Sequence, residues 1–219
     1  MLGKLPSPLK GAVNCVALAS NTIALCPPLF GLALLKVPPV KPLQKVCTLG
    51  CIKIAETWIA INSAVLATTQ NTQYHLTGDL DNIKYDGWYM VVSNHQSWAD
   101  IFILQKIFNK HAPFLKFFLK DELIYVPMIG LAWWALDFPF MKRYSKEFLA
   151  KHPELKGKDL ETTRKACEKF KHTPVSIMNF LEGTRFTPEK HDRQQSPYKN
   201  LLKPKSAGMA YALNIMNER

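Results

Sequence analysis

Val91-Val92-Ser93-Asn94-His95-Gln96-Ser97-Trp98-Ala99-Asp100 changes character halfway along, and the change decides the fold. Apolar, β-favouring residues run from Trp88 to Val92 after an Asp86-Gly87 turn signal, then yield to Ser93, Asn94 and His95. That pattern predicts a buried strand that delivers a histidine to its rim. Ser97 then reads as a helix N-cap, and Trp98 to Phe108 carries helical spacing with Asp100 in the first turn. On one continuous helix, residues five apart are rotated by roughly 140°. His95 and Asp100 can therefore hydrogen-bond only if the chain bends between them. A carboxylate holding one ring nitrogen leaves the other free to act as a base near neutral pH. Taken alone, the dipeptide and its aspartate read more readily as a satisfied turn than as a catalyst.

Working outward, the 219 residues fit one domain of ordinary size plus an appendage. Lysine and arginine number 28 against 17 acidic residues. Six lysines and one glutamate fall in the first 70 residues, so both parts of the chain are basic and an anionic partner is expected. Nucleic acid, an anionic membrane face and phosphorylated metabolites share that chemistry. Dispersed lysines without a helix-turn-helix, ribonucleoprotein or zinc-finger pattern argue against nucleic acid. Five cysteines without companion histidines at metal spacing predict a reducing compartment and no metal site.

No charged residue lies between Lys10 and Lys36. Pro27-Pro28 is expected to break this apolar stretch and leave a helix of about 16 residues, roughly 24 Å long and shorter than a hydrocarbon core of about 30 Å. With lysines on both flanks, a re-entrant or interfacial segment on the cytoplasmic face fits better than a clean span. A cleaved signal peptide ending near Ala17-Leu18-Ala19 fits poorly, because the apolar run continues past it. Residues 43 to 67 read as a second apolar helix, which together with the first makes a two-helix membrane anchor over 1–70. Thr68 to Gln73 marks the boundary with a second unit over 71–219, in which Tyr74 to Leu76 begins a strand pattern.

Further on, Pro127 and Gly130 interrupt an aromatic-rich stretch, a short helix follows, and Phe138 to Met141 reads as a strand ending in Lys142-Arg143. Phe114, Phe117, Phe118, Trp133 and Trp134 read as core, part of which could line a slot for an alkyl chain. A surface helix is expected over 159–170. Val175 to Leu181 reads as a strand that runs into Glu182-Gly183-Thr184-Arg185. There the glycine permits close backbone approach to a ligand, and the arginine offers a fork for phosphate. Thr187 to Lys205, with three prolines, is expected to be a mobile loop in which His191 and Asp192 are solvated. The class these elements predict is α/β, a central mixed sheet flanked by helices and preceded by the apolar two-helix anchor.

Asn94-His95 with Asp100, the block Phe138 to Arg143 and the block Phe180 to Arg185 together resemble the membrane-associated glycerolipid acyltransferases, in particular the lysophosphatidic acid acyltransferases. The resemblance covers residues 70 to 216, about two thirds of the chain. Leu181 stands where proline is usual, and Asp137 and Lys142 stand where a glycine and an aspartate are common. No fourth, proline-containing block precedes Arg219, which suggests a fragment, a naturally short form, or a chain that binds substrates without full turnover.

The resemblance implies transfer of a fatty acyl group from acyl-CoA or acyl carrier protein to 1-acylglycerol-3-phosphate or a related lysophospholipid, giving phosphatidic acid. Apart from that donor, it implies no cofactor. It makes His95 the base and Asp100 its orienting carboxylate, and gives Arg143 and Arg185 the acceptor's phosphate. Glu182, with Gly183 and Thr184, would orient the acceptor and the turn. No Gly-x-Ser-x-Gly elbow and no cysteine beside His95 is present, which favours direct transfer over a covalent enzyme intermediate. The expected setting is the cytoplasmic face of a membrane, by resemblance a bacterial inner membrane, with phospholipid as partner.

Overall fold

The computed structural model describes residues 5–141, 148, 151–152, 161, 164, 170, 173–205, 209–210 and 213–214. Two long helices open it, α1 over Ser7–Leu35 and α2 over Lys41–Thr69. Strand β1 (Trp88–Ser93) leads into α3 (Ala99–Phe108), followed by the short strands β2 (Leu115–Phe117) and β3 (Leu119–Lys120). After a 3-10 turn over Asp121–Tyr125 come α4 (Ile129–Ala135) and β4 (Phe140–Met141), and then β5 (Val175–Phe180) and α5 (Pro188–Gln194). In the main sheet β5 lies between β1 and β2, and β3 pairs with β4 apart from it. The class is mixed α/β. Every described pairing is parallel, where a mixed sheet was expected.

Register sets the position of the site. Ser93 pairs with Phe180, so the chain leaves both parallel strands at the same edge of the sheet, where ligands of α/β proteins gather. The departure at Leu181 has a physical consequence. Its N–H donates to the Ser93 carbonyl at 3.3 Å, adding a β1–β5 bond that proline has no N–H to make.

Pro27-Pro28 does not break α1, which runs through both prolines for 29 residues. Interior prolines cost about 3 kcal/mol each in an isolated helix. Here the hairpin with α2 offsets that cost. Leu29 and Ala33 of α1 pack with Cys51, Ile52, Ala55 and Ile59 of α2, and each large aliphatic buried contributes about 1.5–3 kcal/mol. Gly50 permits the close approach, since a Cβ there would stand 2.7 Å from the Leu32 Cδ1. Both helices are long and apolar enough to cross a membrane, so the expected shortness of the first segment no longer argues against a span. Val16, Ile23, Leu34 and Leu35 are exposed, an apolar surface suited to lipid.

Polar pairs fix the hairpin's register inside its apolar contact. Asn21 Nδ2 donates to Asn62 Oδ1 at 2.7 Å, and Thr69 Oγ1 to Asn14 Oδ1 at 2.7 Å. The hairpin shares its core with the rest of the chain, because Phe114, Ala135, Leu136 and Phe138 belong to the same buried cluster. A second tie comes from Asp137, whose φ of +57° is the left-handed conformation that glycine adopts most easily and that aspartate tolerates. Its carboxylate accepts from Lys36 Nζ at 2.7 Å, and Lys36 also donates to the Ala135 carbonyl at 2.8 Å.

Tyr74 to Leu76 forms no strand. Tyr74 and Leu76 are exposed in a stretch without regular structure, and the Tyr74 ring instead receives the Lys106 ammonium 3.9 Å from its centroid. Thr187 to Lys205 is not uniformly loop, because α5 lies within it. Thr187 caps α5 by accepting from the Lys190 N–H, Pro188 occupies its first turn, and Gln195 ends it in the left-handed region. Most of the expected helix over 159–170 lies outside the described residues.

Asp137→Ala is expected to cost about 3 kcal/mol, because it removes the carboxylate from the largely buried Lys36 ammonium, which keeps its bond to the Ala135 carbonyl, and retains a positive φ. Asp137→Gly removes the backbone strain and should recover about 1 kcal/mol of that loss. Denaturant titration in detergent micelles measures both. Equal stability of the two variants would disprove the backbone part.

Candidate active site

The bend that the His95–Asp100 pair requires is present. Residues 94–97 leave β1 without helical structure, and α3 starts only at Ala99, one residue later than expected. His95 Nδ1 and Asp100 Oδ2 lie 2.9 Å apart. The same oxygen accepts from the N–H groups of Gln96 at 2.7 Å and Ser97 at 2.9 Å. Ser97 Oγ in turn accepts from Ala99 N–H at 3.0 Å, but the cap position itself falls on Trp98 and carries no side-chain cap bond, so Ser97 stands one residue outside the place expected of it. Three donors on one oxygen leave the carboxylate little freedom to rotate. Burial pushes the Asp100 carboxyl up, but bonds from the His95 ring and from the Ser97 and Gln96 amides outweigh it and hold it below its ordinary value.

His95 is buried and pinned from three sides. Its N–H donates to Glu182 Oε1 at 2.7 Å, and its carbonyl accepts from Phe186 N–H at 2.7 Å. Its ring stacks on Phe180 at 3.9 Å between centroids, nearly parallel at 14°. With Nδ1 engaged by Asp100, Nε2 has no hydrogen-bond partner among the described residues. This nitrogen is the chemically available one.

Glu182 is fully buried, and both its oxygens are taken by backbone, Oε1 by His95 and Oε2 by Leu202 N–H at 2.9 Å. It orients the turn. Gly183 has φ +66° and lets the chain double back, its N–H donating to the Phe180 carbonyl at 2.9 Å. Thr184 Oγ1 accepts from Lys190 Nζ at 3.0 Å, and the same ammonium donates to the Arg185 carbonyl at 2.9 Å. The Arg185 guanidinium is exposed and lies 4.5 Å over the Trp98 ring, which meets the His95 ring edge-on at 6.5 Å. The structure thus brings His95, Asp100, Glu182, Gly183, Thr184 and Arg185 together, while Arg143 lies outside the described residues.

A cavity of about 660 Å³ opens at His95, within the usual range for small-molecule sites of roughly 300–1,000 Å³. Phe114, Phe117, Phe118 and Trp133 line it, so these expected core aromatics wall a slot, whereas Trp134 is exposed. Its far wall belongs to the hairpin, through Leu25 and Leu29 of α1 and Trp58 of α2. The cavity suits a long apolar chain whose reactive end meets the imidazole.

Several of these parts escape a reading of the sequence. Phe180, Trp98 and the hairpin wall are apolar residues whose pattern marks burial but not a cavity. Lys190 was legible, because Thr187-Pro188-Glu189 spells a helix start that would place it beside the turn. His191 is not simply solvated. Its ring nitrogens lie 3.0 Å from Asp192 Oδ1 and 2.9 Å from the Tyr198 carbonyl. Among the described residues no group of three His, Cys, Asp or Glu side chains could hold a metal.

A sequence model of the family described as Acyltransferase matches residues 76–214. No curated protein matches the chain.

Because the Asp100 pKa is lowered on folding, its contribution to stability is full above the ordinary carboxylate value of about 4 and is lost as pH falls through the depressed one. Asp100→Asn should therefore be less stable than the parent at pH 7, with the gap closing in acid. Chemical denaturation at a series of pH values tests this, and a gap independent of pH would contradict it.

Proposed function

Since the chain belongs to the acyltransferase family, the family that contains the lysophosphatidic acid acyltransferases, we propose that it moves a fatty acyl group from an acyl thioester to 1-acylglycerol-3-phosphate or a related lysophospholipid. The observation that carries this reading is the His95 imidazole, held at Nδ1 by Asp100 and with Nε2 unengaged, set in the wall of an apolar cavity.

In the proposed reaction Nε2 takes the proton from the acceptor's hydroxyl as that oxygen attacks the thioester carbonyl. Asp100 stabilises the imidazolium that forms. Collapse of the tetrahedral intermediate breaks the carbon–sulfur bond, and the imidazolium returns the proton to the departing sulfur as a thiol. The new ester and the free thiol balance the step, and the histidine ends as it began. The cavity's apolar walls favour the acyl chain. The exposed Arg185 guanidinium beside Trp98 offers the acceptor's phosphate a bidentate partner, which fixes the hydroxyl near the base.

Apolar helices and an excess of basic residues support a site at the headgroup level of an anionic membrane, on the cytoplasmic side. The donor is coenzyme A or acyl carrier protein carrying the acyl group, and the product is phosphatidic acid.

Purified chain in detergent micelles, supplied with acyl-CoA and lysophosphatidate, should form phosphatidate. His95→Ala should lower kcat by about 10²–10⁴-fold. Arg185→Ala should act mainly on KM for the lysophosphatidate, raising it by about 10-fold or more. Undiminished activity in His95→Ala would remove the base from the scheme. No acylation by the intact chain would leave a lipid-binding protein of the same fold.

A further inference from the structure

A second hollow adjoins the acyl cavity and takes no part in the proposed transfer. It is a groove of about 560 Å³ between the C-terminal half of α2 and one face of α3. Ile59, Trp98, Phe102 and Gln105 line both hollows, so the two meet beside the ring that touches His95. Their linings differ in chemistry. The acyl cavity is almost wholly apolar, whereas the groove alternates apolar side chains with amides and hydroxyls, among them Asn62, Ser63, Gln70, Asn71 and Thr72.

One of these groups is left wanting. Asn62 is 2% exposed, its Oδ1 accepts from Asn21, and its Nδ2 has no hydrogen-bond partner among the described residues. A buried amide N–H₂ without an acceptor is unfavourable, and because Asn62 lines the groove, a turn of its amide toward a ligand carbonyl there would supply one. At the groove's rim Lys106 is held over the Tyr74 ring, and no carboxylate among the described residues neutralises its charge.

A fatty tail would match the apolar part of this lining but leave its amides and hydroxyls without partners. A chain that alternates short aliphatic links with amide groups and ends in a phosphate would use all of it. We propose that the α2–α3 groove binds the phosphopantetheine arm of the acyl donor, the chemistry that coenzyme A and acyl carrier protein share. The Asn62 amide donates to a carbonyl of the arm, and Lys106 meets its phosphate. With the acyl chain in the cavity and the arm in the groove, the thioester carbon sits at the junction, against His95 and Trp98. This proposal rests on the acyl-thioester reading above.

The test compares donors of decreasing arm length at a fixed lysophosphatidate concentration: palmitoyl-CoA, palmitoyl-pantetheine and palmitoyl-N-acetylcysteamine. The parent chain should use palmitoyl-CoA at least 10-fold better in kcat/KM than the N-acetylcysteamine thioester. Asn62→Leu should collapse that ratio to within about 3-fold, mainly through KM for the donor. Lys106→Gln, a change on a partly exposed helix face, should reduce the advantage of palmitoyl-CoA over palmitoyl-pantetheine. Palmitoyl acyl carrier protein, run in parallel, shows which source supplies the arm.

Proportional loss on all donors in both variants would reduce these side chains to structural roles and overturn the proposal. A rise in KM for lysophosphatidate instead would give the groove to the acceptor and overturn it equally. Titration calorimetry with free coenzyme A separates the groove from the transfer reaction. Binding that Lys106→Gln weakens, in a chain that turns over no thioester, supports the groove while sinking the transfer reaction. Absent or unaltered binding sinks the groove.

Discussion

Both oxygens of one buried carboxylate, that of Glu182, are spent on backbone N–H groups, and the site's geometry depends on them. Burying a carboxylate is costly unless strong donors replace its water, and His95 and Leu202 supply them at 2.7 and 2.9 Å. The bond to His95 joins the end of β1 to the end of β5, and the bond to Leu202 brings in the segment that returns past α5. The sheet makes the meeting possible. With Ser93 opposite Phe180, His95 and Glu182 each lie two residues beyond a paired position, so segments 87 residues apart in sequence converge without a long side chain reaching across. Phe180 completes the arrangement from the last position of β5, where its ring becomes the floor on which the imidazole lies.

The same economy governs the apolar side of the site. A hairpin of long helices could have been an attachment joined to the rest of the chain by a tether, but it shares a buried cluster with α4 and the β2 region and walls the apolar cavity at His95. The Lys36–Asp137 pair makes the union specific. It also accounts for an aspartate where a glycine is common. The backbone there is left-handed, aspartate is among the few side chains that tolerate it, and its carboxylate supplies a partner for a lysine at the end of α1. Helices apolar enough to enter a membrane therefore also shape the space beside His95, and any displacement of the hairpin changes the volume of that cavity.

Much of this was legible in the residues. The boundaries of β1, α3 and β5 fall within one residue of those set by apolar runs ending in polar or glycine signals, and helical angle alone shows that a His95–Asp100 bond needs a bend. Expectation and structure part where tertiary contacts outweigh local preference. Pro27-Pro28 disfavours a helix locally, but a partner helix offsets the lost bonds. Tyr74 to Leu76 has strand-forming residues but pairs with no strand among the described residues. In the segment after Thr187, the prolines mask a capping threonine that starts a helix. The cavity was not legible at all, since an aromatic in a core and an aromatic lining a slot obey the same pattern. Arg143 and most of 159–170 fall outside the described residues, so those expectations are untouched.

The basic excess divides by how each cation is held. Lys36 is neutralised by Asp137 and Lys53 by Glu56, and these lysines serve the fold. Lys190 donates to a hydroxyl and a carbonyl, which shapes the turn before Arg185 without cancelling a charge. Arg185 and Lys106 rest on the faces of Trp98 and Tyr74. An aromatic face restrains a cation through its quadrupole but leaves the net charge intact, whereas a carboxylate removes it. Cations held in this way keep a defined position and still attract phosphate. Arg185 rests on Trp98, which lines both hollows, and Lys106 lines the second, so each of these cations is placed by an aromatic face where the apolar walls begin.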